Sequence, residues 1–136
     1  MKICIVSDSH DRADPLAAAV HEAKAQGAAA VIHCGDVIGT QTLRAALGAG
    51  LPMHVIHGNN LGDIPSMMRL AFRSKGALEY HGQEADLEAG GRRIFMIHYP
   101  HLARGMALTG DYDAVFCGHS HQALIEEVAN VRGGRS

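Results

Sequence analysis

A layered α/β fold is predicted for this 136-residue chain by three observations. Short apolar runs suited to buried strands alternate with stretches whose apolar residues recur every three to four positions. Helix punctuation falls between those runs, in Asp14-Pro15, Gly27 and the glycines at 48 and 50. Five of the strand-like runs end in Asp, Asn or His.

The elements follow in order. Lys2 to Val6 is a buried first strand. Asp14-Pro15 supplies an N-cap and a preset first helical residue, and Leu16, Ala19, Val20 and Ala23 form the apolar stripe that Gly27 closes. Ala30 to His33 is a second strand, Thr40 caps a helix carrying Leu43, Ala46 and Leu47, and Met53 to His57 is a third strand. Pro65 to Phe72 is helical, with Met67, Met68 and Ala71 on one side. Ala77 to Tyr80 and Glu84 to Glu88 are expected to form a hairpin across His81-Gly82-Gln83. Arg93 to His98 is a strand, Leu102 to Leu108 a short helix, Asp113 to Cys117 a strand, and Ala123 to Val128 the last strand. No linker, repeat or low-complexity tract interrupts this pattern, so residues 1–136 are expected to form one domain.

Composition narrows the function classes. The apolar fraction of 47 % is that of a folded domain. Aromatics at 4 % without Trp argue against a base-stacking surface, and a net charge of −2 without a basic run argues against nucleic acid as a partner. Three cysteines, an odd number, fit free thiols in a reduced cytoplasmic setting. No apolar run approaches the ~18 residues that span a bilayer, so no membrane partner is expected.

The strand ends carry the chemistry. The first runs into Asp8-Ser9-His10, the second into Gly35-Asp36, the third into Gly58-Asn59-Asn60, the Arg93 strand into His98, and the Asp113 strand into Gly118-His119-Ser120-His121. In open α/β sheets the carboxyl ends of the strands form the ligand-binding edge. Asp8 and His10, two apart, point the same way in an extended segment, and His119 and His121 repeat that spacing. Two Asp, one Asn and four His give O and N donors without a thiolate, too many for one tetrahedral zinc. The set suits two divalent ions such as Mn, Fe or Zn. A shared carboxylate would hold them ~3.5–4 Å apart, as in two-metal phosphoryl-transfer sites.

Asp8-x-His10, Gly35-Asp36, Gly58-Asn59, His98 and Gly118-His119-x-His121, in that order, resemble the calcineurin-like metallophosphoesterases, and the short length resembles their small single-domain phosphodiesterase branch. The resemblance implies a four-layer αββα sandwich with a dinuclear metal site at the carboxyl ends of the strands. It implies that Asp8, His10 and His121 hold one ion, Asn59, His98 and His119 the other, and that Asp36 bridges them. Two divalent ions are expected, Mn foremost, with Fe, Zn or Ni as alternatives. The expected activity is hydrolysis of a small phosphodiester or nucleotide. Two dications and two aspartates leave net positive charge, which attracts a phosphate oxyanion and lowers the pKa of a bridging water. The expected nucleophile is the resulting hydroxide, which would attack phosphorus in line with Asp36, Asn59, His98 and His119 around it.

Several residues depart from that pattern. Asn60 stands where many relatives carry a His that protonates the leaving group, and an amide is no general acid. Ile97-His98-Tyr99-Pro100-His101 replaces the Thr-His-Gly-His of small relatives, which favours His98 over His101 as the ligand. Asn60 and His101 are candidate substrate contacts. The 100–113 segment is short, so a reduced outer helix is expected, and no Asn-Pro-Gly-Ser follows the last strand, as in a shorter or truncated member lacking the usual C-terminal strand.

The remaining residues have plainer expected roles. His21 belongs on the helix surface, His33 and His54 inside strands as packing residues, and His81 in the hairpin turn. His57 adjoins a ligand motif and is a further candidate for the substrate site. Cys34 and Cys117 are expected to be buried, and Arg12 to be an exposed loop charge. The rival reading from another class is a catalytically weak or inactive scaffold of the same fold, against which the filled ligand positions argue. A homo-oligomer is compatible with either reading.

Overall fold

Val31 and Ile32 are neighbours in the chain and face different cores, and that alternation organises the molecule. The computed structural model describes residues 1–119; His121 and the expected strand Ala123–Val128 lie outside the described residues. Strands β1 (Lys2–Val6), β2 (Ala28–His33), β3 (Met53–Val55) and β4 (Leu78–Tyr80) form a parallel sheet in that order. Strands β5 (Glu84–Ala89), β6 (Arg92–Ile97) and β7 (Ala114–Phe116) form a second, with β5 antiparallel and β7 parallel to β6.

One core joins the first sheet to its helices. Val31, Met53, Val55 and Leu78 pack with Leu16 and Val20 of α1 (Ala13–Ala25), Leu43 and Ala46 of α2 (Thr40–Leu47), and Met67 of α3 (Ile64–Arg73). A second core lies between the sheets, where Ile32, Cys34 and Ile56 meet Ala85, Ile94 and Met96. The third places Phe95 and Ile97 against Ala103 of α4 (Pro100–Leu108), the short outer helix that the chain length led one to expect. The result is the four-layer αββα sandwich. Each fully buried Ile, Leu or Met contributes roughly 1.5–3 kcal/mol over exposure.

Four local expectations are corrected. The segments around Leu78 and Leu87 do not form a hairpin: β4 pairs with β3, β5 pairs with β6, and His81-Gly82-Gln83 carries the chain between sheets. Leu78 is buried in the helix-side core and Ala85 in the inter-sheet core, so pairing the two strands with each other would expose one of them. α1 starts at Ala13 with Arg12 in the cap position and no side-chain cap, so Asp14 lies in the first turn, where it complements the helix dipole. α2 is likewise uncapped by Thr40, because Gly39 takes the cap position. On α3, Met67 is buried while Met68 is exposed; Leu70 and Ala71 complete the inward stripe at the i+3 and i+4 positions. Asp63 caps this helix, accepting from the Ser66 backbone N–H at 3.1 Å and its hydroxyl at 2.7 Å.

Candidate metal centre

Asp8, His10, Asp36 and His119 all have left-handed backbone, with φ of 55°, 51°, 65° and 72°. Asp and His tolerate that region better than most residues, yet each such position costs of order 1–3 kcal/mol. Backbone hydrogen bonds between the strand ends hold the arrangement: Asp8 N–H donates to Gly35 O at 2.8 Å, His10 N–H to Asp36 O at 2.7 Å, and Ile38 N–H to His10 O at 2.9 Å. The Asp8–His10 segment is therefore not extended, as the two-residue spacing suggested. Its side chains reach the same place from left-handed backbone at both residues instead.

The two sheets meet at this edge. His119 N–H donates to Asp8 Oδ2 at 3.0 Å from one sheet's edge to the other's, and within the second sheet Gly118 N–H donates to His98 O at 3.0 Å. Asp8, His10 and Asp36 bring one ligand atom each to within 4.8 Å of one another. His10 Nε2 is 3.8 Å from Asp36 Oδ2, and His98 Nε2 is 3.6 Å from Asp36 Oδ1 and 3.9 Å from Asp8 Oδ1. Asn59 Oδ1 lies 3.0 Å from His98 Nε2 and 3.1 Å from His119 Nδ1. Six of the seven predicted ligands thus converge, and His121 lies outside the described residues.

The donor set fits a cation better than it fits itself. His98 donates from Nδ1 to Cys34 O at 2.8 Å, which in the neutral ring leaves a lone pair on Nε2. That lone pair faces the carbonyl oxygen of Asn59 and the carboxylate of Asp36. Turning the Asn59 amide would offer two N–H protons to four acceptors: His119 Nδ1, His98 Nε2 and both oxygens of Asp36. Divalent ions among these atoms would serve all of them. Room for the cluster depends on glycine: a Cβ on Gly58 would meet Asp36 Oδ1 and come within 2.7 Å of the His98 ring.

Residues beyond the seven predicted ligands hold the cluster in place. Asn60 donates its backbone N–H to Asp36 Oδ1 at 3.0 Å and its side-chain amide to Oδ2 at 3.2 Å, so it grips both oxygens of the central carboxylate. His33 is buried, as expected of a packing residue, but it also ties two ligand loops together: its Nδ1 accepts from Gly35 N–H at 3.1 Å and its Nε2 donates to Ser9 Oγ at 2.8 Å. Sequence reasoning missed this role, since a strand histidine shows its partners only once the loops fold over it.

Burial lowers the His33 pKa from 6.5 to about 4, against a partial opposing pull from Asp8 and Asp36. The unfolded chain therefore accepts a proton that the native state excludes. The stability this group confers is whole above pH 6.5 and is lost as pH falls toward 4, by roughly 3 kcal/mol in all. His33→Gln is expected to lose less stability on acidification than the parent. Denaturant midpoints of both proteins at about pH 7 and about pH 4.5 measure this, and equal acid losses would rule His33 out as the cause.

Other predicted residues fall around the rim. Arg12 is exposed, as expected, and also donates from Nη2 to Asp8 O at 3.0 Å. Cys34 is buried, which pushes its thiol pKa up, whereas Cys117, expected to be buried, is exposed. Beside Asn59 a cleft of about 340 Å³ is lined by His57, Gly58, Leu61, Gln83 and Tyr99. His57 shares a 2.6 Å hydrogen bond with the Tyr80 hydroxyl. Tyr99, which sequence reasoning passed over, has its ring 5.5 Å from that of His119 and 5.2 Å from that of His98. His101 is exposed on α4, its ring 6.3 Å from that of Tyr99.

Comparison with known proteins agrees with this geometry. The chain is 27 % identical over 133 residues to a phosphodiesterase of Methanocaldococcus jannaschii, covering 96 % of this chain and 80 % of that one. A solved structure described as a novel archaeal phosphodiesterase aligns with a TM-score of 0.83 at 25 % identity, over 94 % of this chain and 78 % of the other. The sequence profile of the calcineurin-like phosphoesterase superfamily domain matches residues 1–133, from the first strand through every ligand motif. With the αββα layers and the Asp-Asn-His cluster at their rim, that match settles the family: the chain belongs to the calcineurin-like phosphoesterase superfamily, in its small metallophosphoesterase branch.

Proposed function

We propose that this protein is a phosphodiesterase that uses two divalent ions, Mn foremost, to hydrolyse a small phosphodiester or nucleotide. The observation that carries the reading is the convergence of lone pairs from Asp36, Asn59 and His98 on one point at the strand ends. Asp8, His10 and His121 would hold one ion, Asn59, His98 and His119 the other, and Asp36 would join them. Bound there, the ions supply positive charge for a phosphate oxyanion and acidify a water for in-line attack.

The chain's own residues orient and exclude. Asn60 fixes the plane of the Asp36 carboxylate through both its N–H groups. His33 and the Cys34 carbonyl set the Ser9 loop and the His98 ring. Among the described residues, the uncharged side chains of Tyr99, Leu61, Gln83 and His57 line a cleft beside Asn59, suited to the organic group of the ester rather than to a second phosphate.

The test is hydrolysis of an aryl phosphodiester. Chelation is expected to abolish turnover and added Mn²⁺ to restore it. Metal-loaded protein that turns over neither aryl phosphodiesters, cyclic nucleotides nor phosphomonoesters would favour the scaffold reading instead.

Leaving-group dependence gives a second test. Asn60 directs its amide at Asp36 and carries no transferable proton. A well-placed acid typically contributes about 10²–10⁴-fold. Without one, the rate is expected to fall steeply as the phenol pKa rises across a series of aryl phosphodiesters. His101→Ala is expected to leave that slope unchanged, because His101 is exposed on α4. A shallow slope in the parent that steepens in His101→Ala would identify His101 as the acid.

A further inference from the structure

His54, Glu79 and His81 form a second cluster of side chains able to hold a metal ion, none of them among the ligands above. His54 lies in β3, Glu79 is its register partner in β4, and His81 directly follows β4. Met53, Val55 and Leu78 face the helix-side core, so His54 and Glu79 project from the opposite face of the sheet. There His54 Nδ1 is 3.0 Å from His81 Nε2 and 3.3 Å from Glu79 Oε2, and His81 Nε2 is 3.6 Å from the same carboxylate oxygen. The two rings lie nearly parallel, 21° apart. His81 was expected in a hairpin turn and His54 as plain packing. Neither role accounts for two imidazole nitrogens and a carboxylate oxygen drawn to one spot.

We propose that His54, Glu79 and His81 bind one divalent ion, zinc foremost, at a mononuclear site separate from the candidate dinuclear centre. The triangle has the right size. Zinc bonds to imidazole at about 2.0–2.1 Å and to carboxylate at about 2.0–2.2 Å, so adjacent ligands of a tetrahedral ion sit roughly 3.3–3.5 Å apart. The observed edges bracket that range. The in-plane point equidistant from the three atoms lies about 1.9 Å from each, so an ion at zinc distance sits just above the plane, as over one face of a tetrahedron. One proton between the imidazoles satisfies a single edge of the triangle, whereas a cation satisfies all three. Glu79 is 53 % exposed, which leaves the fourth position to solvent. Two nitrogens and one oxygen match the imidazole and carboxylate preferences of zinc. The ion would clamp the edge strand β4 to β3, adding to the backbone bonds His81 N–H to Val55 O and His57 N–H to Gly82 O.

The experiment compares metal stoichiometry in the full chain and in His54→Gln/His81→Gln, by zinc competition against a chromophoric chelator and by Co²⁺ absorption. The parent is expected to bind one more equivalent than the double variant and to show the stronger visible bands of tetrahedral Co²⁺. Glu79→Gln, a milder change at a half-exposed position, is expected to weaken that equivalent at least tenfold with unchanged circular dichroism. Equal stoichiometry in parent and double variant overturns the proposal. So does a lost equivalent whose Kd in the parent is weaker than about 10 µM, since that marks loose surface chelation. Neither readout depends on phosphodiester hydrolysis, so the result stands apart from that of the activity test.

Discussion

Asp36→Asn is expected to remain folded and to lose phosphodiester hydrolysis by at least about 10³-fold in kcat/KM, or ~4 kcal/mol of transition-state stabilisation. Asn is nearly isosteric with Asp and tolerates left-handed backbone, so the φ of 65° at this position carries little added strain. It retains an oxygen to accept from the Asn60 backbone N–H. What it removes is the charge on a buried carboxylate that lies 3.8 Å from His10 on one side and 3.6 Å from His98 on the other. A residue joining two ions should affect both on substitution, whereas His10→Ala should chiefly weaken one. Metal analysis after dialysis, with circular dichroism to confirm the fold, is the measurement. Two retained ions and activity within tenfold of the parent would remove Asp36 from the bridging position.

Gly58→Ala should do comparable damage by a different route. The added methyl would meet Asp36 Oδ1 and the His98 ring, 2.7 Å from its Cγ and Cδ2. Both are buried and held from behind, Asp36 by Asn60 and His98 by the Cys34 carbonyl, so neither can yield cheaply. Overpacking of this kind costs typically about 1–3 kcal/mol of stability. Displacement of two candidate ligands should also weaken metal binding at least about tenfold, since a geometry error near 1 Å is poorly tolerated at such sites. Gly105→Ala is the control. Gly105 lies inside α4 with open space where its Cβ would go, so the same methyl there should stabilise the protein by roughly 0.5–1 kcal/mol. Thermal unfolding and Mn²⁺ titration of the two variants separate the cases. Undiminished metal affinity in Gly58→Ala would mean that Asp36 and His98 do not act together.

Much of this was legible in the amino-acid order. Strand-end Asp8, Asp36, Asn59, His98 and His119 stood out because a polar residue after an apolar run is a local pattern, sharpened at Asp36, Asn59 and His119 by the glycine before each. The alternation of Val31 with Ile32, or Phe95 with Met96, told that both faces of a strand are covered, which demands layers. The resemblance to a known family supplied the number of layers and the order of the ligands.

Tertiary structure decided what local pattern does not encode. Leu78 and Leu87 show the same periodicity whether their strands share a sheet or lie in different ones, and only the competing cores assign them. Left-handed backbone at Asp8, His10, Asp36 and His119 is imposed by hydrogen bonds between loops and leaves no signature in residue type beyond tolerance. His33, Asn60, Tyr99 and the Cys34 carbonyl act through partners far away in the chain; Cys34 and His98, for instance, are 64 residues apart. The grouping of His54, Glu79 and His81 likewise waited on the parallel pairing of β3 with β4. In each case the energy belongs to a contact between distant segments. The sequence by itself determined the strand faces and the ligand types, while the closing of the sandwich decided which side chains meet.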